Sequence, residues 1–185
     1  MTKVFVDTNV LGHGPHVGLD RGRRARGAVD AGTTRRMGTG HRAGQRRSAA
    51  SAAAITAAIR EYFADSEVPE PEYAHLIARM PGKDPDDRVH RAAAVAGHAA
   101  AIVTWNLADF PAEALAAHGV QVCTPDDYLC DLLDSWPDEV LGSVVRLAGE
   151  KRRPPMTPVD LTDSFAKVGA PAFAKRLQVM LADRD

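Results

Sequence analysis

Three aspartates fall where a chain of alternating strands and helices brings its loops together. Asp7 follows the apolar run Val4-Phe5-Val6, Asp87 stands at the opening of a helical pattern, and Asp109 closes Asn106-Leu107-Ala108-Asp109 beyond a second apolar run. Carboxylates gathered in one place repel, and each binds its proton more tightly unless a cation sits among them. Hard oxygen donors of this kind suit Mg2+ or Mn2+, which keep several waters and take up phosphate oxygens of a substrate. The chemistry favoured by such a group is metal-assisted hydrolysis of a phosphodiester, in which the ion activates water and stabilises the charge that develops on the phosphate. Each acid also has a plain structural use. Asp87 can cap its helix and favour the helix dipole, as Asp127 and Asp160 do elsewhere, and Asp109 can belong to an ordinary turn. Asp7 has no helix to cap within easy reach, so it is the strongest of the three.

The surrounding pattern supplies the elements that would position them. Val4 to Val6 reads as a short buried strand with Asp7 at its C-terminal end, the edge at which open α/β sheets bind ligands. Ala52 to Ala64 is alanine-rich with Ile55, Ile59 and Phe63 on one helical face. Pro69 and Pro71 break it, Tyr73 to Met80 forms a short element, and Pro81-Gly82-Lys83 turns. Asp84 then caps a helix with Pro85 at its first position, expected to run through Ala99. Ala100 to Thr104 is β-prone, Trp105 to Pro111 a loop, Ala112 to His118 a short helix ended by Gly119, and Val120 to Cys123 another strand. Thr124-Pro125-Asp126-Asp127 repeats the capping pattern and starts a helix through Leu133. The alternation predicts an α/β fold with a parallel sheet flanked by helices.

Beyond Trp136 the pattern is helical. Pro137 to Ala148 is amphipathic, Lys151 to Pro155 reads as a linker, Thr157-Pro158-Val159-Asp160 caps a further helix, and Phe173, Leu177, Met180 and Leu181 make a last stripe. The expected division is a domain over residues 1–136 and a helical extension over 137–185.

One stretch departs from this pattern. From Gly12 to Ala50 there are nine arginines and two aspartates, a charge of +7 in a chain whose net charge is −1, with no lysine, glutamate or isoleucine and no helical or strand period. Three accounts compete: a flexible basic RNA-binding arm, a long solvated loop, and a slip of reading frame in GC-rich coding DNA. We favour the slip, because a shifted frame in such DNA yields mainly Arg, Gly, Ala and Pro. With 45% hydrophobic and 25% charged residues and no apolar run near the roughly 20 residues of a membrane span, a cytoplasmic protein without a membrane partner is expected. Cys123 and Cys130 form no metal-binding spacing and read as core thiols.

The two blocks around the acids carry a resemblance. Val-Phe-Val-Asp7-Thr8-Asn9-Val-Leu is similar to the opening motif of PIN domains. Asp84-Pro-Asp-Asp87-Arg-Val-His-Arg-Ala-Ala-Ala, followed by Ile102-Val103-Thr104-Trp-Asn106-Leu-Ala-Asp109-Phe110, looks like their later motifs, and Val122-Cys-Thr-Pro125-Asp-Asp-Tyr-Leu129 resembles their last strand and helix. The order is that of the family, over roughly residues 3–11 and 52–135. The resemblance implies a Rossmann-like PIN fold and a Mg2+- or Mn2+-dependent ribonuclease of the VapC kind, the toxin of a toxin–antitoxin pair. Its partners would be RNA, a small antitoxin protein and a second copy in a homodimer. It implies Asp7, Asp87 and Asp109 as metal-binding catalytic residues, with Thr8, Asn9, Thr104 and Asn106 positioning substrate. The helical end resembles the C-terminal extension of a VapC-like subgroup.

The family's further acid, usually a glutamate between its first and central motifs, has no counterpart before Glu61. Asp20 and Asp30 sit in no helical pattern and take no role. A catalytically impaired PIN-like scaffold that binds RNA or an antitoxin without cleavage is therefore the alternative. Phosphoaspartyl hydrolases fit less well, since they resemble Asp-x-Asp where this chain has Asn9, and a receiver domain would need an early acid pair and a late lysine.

Overall fold

The computed structural model describes residues 2–7, 25–30, 67–81 and 85–184. They divide into two compact units that meet in sequence between Cys123 and Thr124.

The first unit is built on a five-stranded sheet of order β3-β2-β1-β4-β5, with β1 Thr2–Val6, β2 Ala25–Asp30, β3 Glu67–Val68, β4 Ala101–Val103 and β5 Gln121–Cys123. Every pairing is parallel, as the α/β expectation requires. The chain lays down β1, β2 and β3 outward on one side, then returns to add β4 and β5 on the other. The order therefore reverses between β1 and β4, and in sheets of this class the crevice outside the strand ends at that reversal is where ligands bind. The central strands are apolar because both their faces are covered: Val4, Phe5, Ile102 and Val103 are all buried.

β2 lies inside the arginine- and glycine-rich stretch that showed no strand period, pairing with β1 from Thr2↔Ala25 to Phe5↔Ala28. The pairing uses backbone groups, which any residue but proline supplies, and Ala25–Asp30 holds no proline, so it leaves no mark on side-chain pattern. The expected helix over 52–64 and Asp84, the expected cap of the helix that begins at Pro85, together with Thr8 and Asn9, lie outside the described residues.

α1 Glu70–Tyr73 continues as a 3-10 turn over Ala74–Arg79, and α2 covers Pro85–Ala96. The sequence extends α2 to Ala99, but the chain leaves the helix three residues earlier. His98 adopts a left-handed φ of 54°, the Ala99 N–H donates to the Ala94 carbonyl at 2.9 Å, and the His98 N–H donates to the Val95 carbonyl at 3.0 Å, the paired closure of a Schellman motif. α3 Ala112–Ala116 closes in the same way through Gly119, at φ 74°. Phe5, Ile102, Phe110, Leu115 and Val120 form the core with Ala92, Ala93 and Ala94, whose small side chains suit a helix packed closely in a core.

The second unit is helical: α4 Pro125–Ser135, α5 Pro137–Glu150, α6 Pro158–Lys167 and α7 Pro171–Ala182. α4 sits with these helices and not with the sheet, so the units part at Thr124 where the sequence reading drew its division after Trp136. Leu133 of α4 shares a core with Leu141, Val144, Leu161, Phe165, Phe173 and Leu177. The Asp126 carboxylate accepts from the Ala172 and Phe173 amides at 3.0 and 2.8 Å, satisfying two amides that the start of α7 would otherwise leave open. Capping boxes Thr124/Asp127 and Thr157/Asp160 start α4 and α6 where the sequence placed them. Cys123 and Cys130 are half-buried, Cys130 at the margin of the second core, where the sequence reading expected core thiols. No helix among the described residues is long and apolar enough to cross a membrane.

Candidate active site

Asp7 is the first residue beyond β1. Its N–H donates to the Val103 carbonyl at 3.0 Å, which carries the ladder with β4 one residue past the strand and fixes Asp7 at the reversal of strand order. Across from it Thr104, fully buried, leaves β4 with its own N–H on the Cys123 carbonyl at 3.0 Å. The Thr104 hydroxyl donates to Asp7 Oδ2 at 2.9 Å and accepts the Asn106 N–H at 3.1 Å. An ionised carboxylate can only accept, so the direction of that hydroxyl is set by Asp7. The Asn106 carboxamide in turn donates to the Asp109 carboxylate. One hydrogen-bonded line thus runs from Asp7 through Thr104 and Asn106 to Asp109.

α2 supplies the opposite side. Asp87, His90 and Arg91 stand at i, i+3 and i+4 and share one helical face. His90, 3% exposed, brings Nδ1 to 3.9 Å from Asp7 Oδ1 and sets its ring 6.1 Å from that of Phe5. Arg91 approaches Asp87 Oδ2 at 4.0 Å and donates to the carbonyl of Asp109. Asp7 is itself only 7% exposed. A buried carboxylate is costly unless it is hydrogen-bonded or paired, and the Thr104 hydroxyl supplies one such bond.

Of the expected residues, Asp7, Thr104, Asn106 and Asp109 join directly, and Asp87 joins through Arg91. His90 and Arg91 carried no role in the sequence reading. The signal available was their spacing from Asp87, which puts them on its face. Asp30, left without a role, is the last residue of the strand beside β1. Among the described residues no three His, Cys, Asp or Glu side chains stand close enough together to hold a metal ion.

Comparison with known proteins adds a relationship to this geometry. Residues 125–179 match the family described as the VapC50 C-terminal domain. A stretch of 104 residues, 56% of the chain, is 36% identical to the protein named "Putative ribonuclease VapC50" of Mycobacterium tuberculosis strain H37Rv. The chain is thus similar, over parts of its length, to VapC50 proteins. It spans 60% of the length of that relative, and no solved structure matches at the same stringency. The matched C-terminal family begins at Pro125, the first residue of α4, which agrees with α4 packing among the C-terminal helices.

Proposed function

We propose that the chain is a divalent-metal-dependent ribonuclease, the toxin of a VapBC-type pair. The observation that carries this reading is the placement of Asp7: a nearly buried carboxylate at the reversal of a parallel sheet, oriented by Thr104 and linked through Asn106 to Asp109. The name of the relative adds RNA cleavage, and the reading extends to a small antitoxin partner, a homodimer and a cytoplasmic setting.

The donors fit Mg2+ or Mn2+ by chemistry, since Asp7, Asp87 and Asp109 offer hard oxygens. Mg2+ is commonly held by one or two carboxylates together with waters and substrate phosphate, so three gathered acids are not required. Asp7 would hold the ion, with Asp109 and Asp87 completing its surroundings. When bound, the ion supplies charge for the developing phosphate and activates water. The chain's own residues prepare that step. Thr104 orients Asp7 through its hydroxyl, His90 stands beside the other oxygen, and Asn106, exposed at the edge, stands where a phosphate or base would arrive. Without a cation, an RNA phosphate would meet an acidic face and be repelled.

The absence of a three-acid group among the described residues favours one second reading, a scaffold that binds RNA or an antitoxin without cutting. Cleavage of an RNA panel by wild type, Asp7→Asn and Asp87→Asn, with Mg2+, Mn2+ or chelator, separates the two. We expect metal-dependent cleavage by wild type and a loss of at least about 100-fold in Asp7→Asn, beyond the cost of removing an outer-shell partner. Equal cleavage by all three proteins would move the site elsewhere, and RNA binding with no cleavage by wild type would favour the scaffold.

A further inference from the structure

Arg91 is 2% exposed, and its contacts reach three separate parts of the chain. Its guanidinium donates to the Pro81 carbonyl, in the segment before α2, and to the Asp109 carbonyl, in the loop after β4. It stands 4.0 Å from Asp87 Oδ2 on its own helix, and its charged carbon lies 5.5 Å from the centre of the Phe110 ring. The neighbouring α2 positions Ala92, Ala93 and Ala94 are buried alanines, so an apolar side chain at 91 would fit the helix at lower desolvation cost. A buried charge is weak as a source of stability compared with apolar packing, and its better-attested use is to specify one arrangement among several.

The arrangement specified here is that of two acids. From this geometry we infer that Arg91 is a positioning residue of the site: its planar fork locks the Asp109 loop onto α2 and stands 4.0 Å from Asp87, so that the two acids keep a fixed place relative to one another. The inference rests on the metal-dependent reading above and adds a residue to it. It is the shape of the guanidinium, and not its charge, that does this. A fork can serve two carbonyls and a carboxylate at once, whereas an ammonium is a point charge on a flexible stem.

Arg91→Lys tests this directly, because it preserves the charge next to Asp87 and removes the fork. Three measurements on the full chain are compared with wild type: backbone hydrogen exchange over residues 105–110, affinity for Mn2+ alone, and kcat and KM for RNA cleavage. We expect exchange in that loop to quicken by about tenfold while β4 amides keep their protection. Mn2+ affinity and kcat should each fall by about 10-fold or more, the scale of losing an outer-shell partner, with KM within about twofold. Wild-type exchange, affinity and kcat in Arg91→Lys would overturn the inference, since charge would then suffice. Faster exchange throughout the unit would overturn it too, as the sign of a general structural role. If the lysine variant fails to fold, Arg91→Gln, which removes the charge and leaves a planar donor for one carbonyl, replaces it: faster exchange confined to residues 105–110 is expected, and wild-type exchange there would overturn the clamp. A wild type that neither binds Mn2+ nor cleaves RNA would sink the metal-dependent reading instead, and the exchange comparison would then decide the clamp alone.

Discussion

Asp7 and Thr104 come from residues nearly a hundred positions apart in sequence, yet each is fixed by continuing a β ladder one step past its strand. Asp7 does so on Val103, and Thr104 on Cys123. Backbone hydrogen bonds therefore set the separation of the two side chains, and the 2.9 Å contact between them follows from the sheet. Thr104→Val keeps the shape and removes the hydroxyl. It strips a donor from Asp7 and an acceptor from the Asn106 amide, in a place where an unsatisfied polar group costs about 1–3 kcal/mol. On the proposed function we expect cleavage to fall about 10–100-fold with a lowered midpoint of thermal unfolding, and Thr104→Ser to recover both. A valine variant as active and as stable as wild type would show that the hydroxyl does not orient Asp7.

The elements of the C-terminal unit begin where short-range chemistry says they should. Thr124/Asp127 and Thr157/Asp160 form reciprocal capping boxes, and in the second the Asp160 carboxyl is held below its ordinary value of 3.8 by the Thr157 backbone N–H first and its hydroxyl second. A carboxyl whose proton affinity is lower folded than unfolded stabilises the folded state above the ordinary value. That contribution fades as pH falls through the lowered one. Asp160→Asn keeps a cap but removes the titration, so wild type should melt higher than the variant near about pH 5, and the two should converge toward about pH 2. A constant gap in melting temperature across that range would mean that the charge of Asp160 is not what stabilises the cap. The Asp134 carboxyl, held low by Arg176, titrates in both proteins and cancels in the comparison. Helix ends, by contrast with starts, were only partly legible. Gly119 marks the end of α3 as expected, whereas α2 ends through a left-handed His98, which sequence pattern gives no reason to choose over three more helical residues.

At the scale of the whole chain, two cores divide the residues: one around Phe5, Ile102 and Leu115, the other around Phe165, Phe173 and Leu177. Phe165 and Phe173 meet edge to face at 5.3 Å between ring centres. Leu177 is fully buried in the second core, so Leu177→Ala should cost about 2–5 kcal/mol through lost burial and the cavity left behind. The acids belong to the other unit, and we expect cleavage per folded molecule to be unchanged. Denaturant unfolding with parallel cleavage assays measures both, and a loss of cleavage beyond the unfolded fraction would show the helical unit to be needed by the site. The sequence by itself determined the parallel α/β class, the helix starts, and the strand ends that carry Asp7 and Thr104, because these depend on local pattern: apolar runs, caps and turn residues. It did not determine β2, whose pairing runs through backbone groups that leave no side-chain signature. Nor did it place α4 among the C-terminal helices, a choice made by Leu133 and Asp126 meeting residues some forty positions later. Arg91 is the same case within the site: a charged residue inside a helical pattern gains its meaning only when Pro81 and Asp109 arrive from outside the helix, and only tertiary packing brings them there.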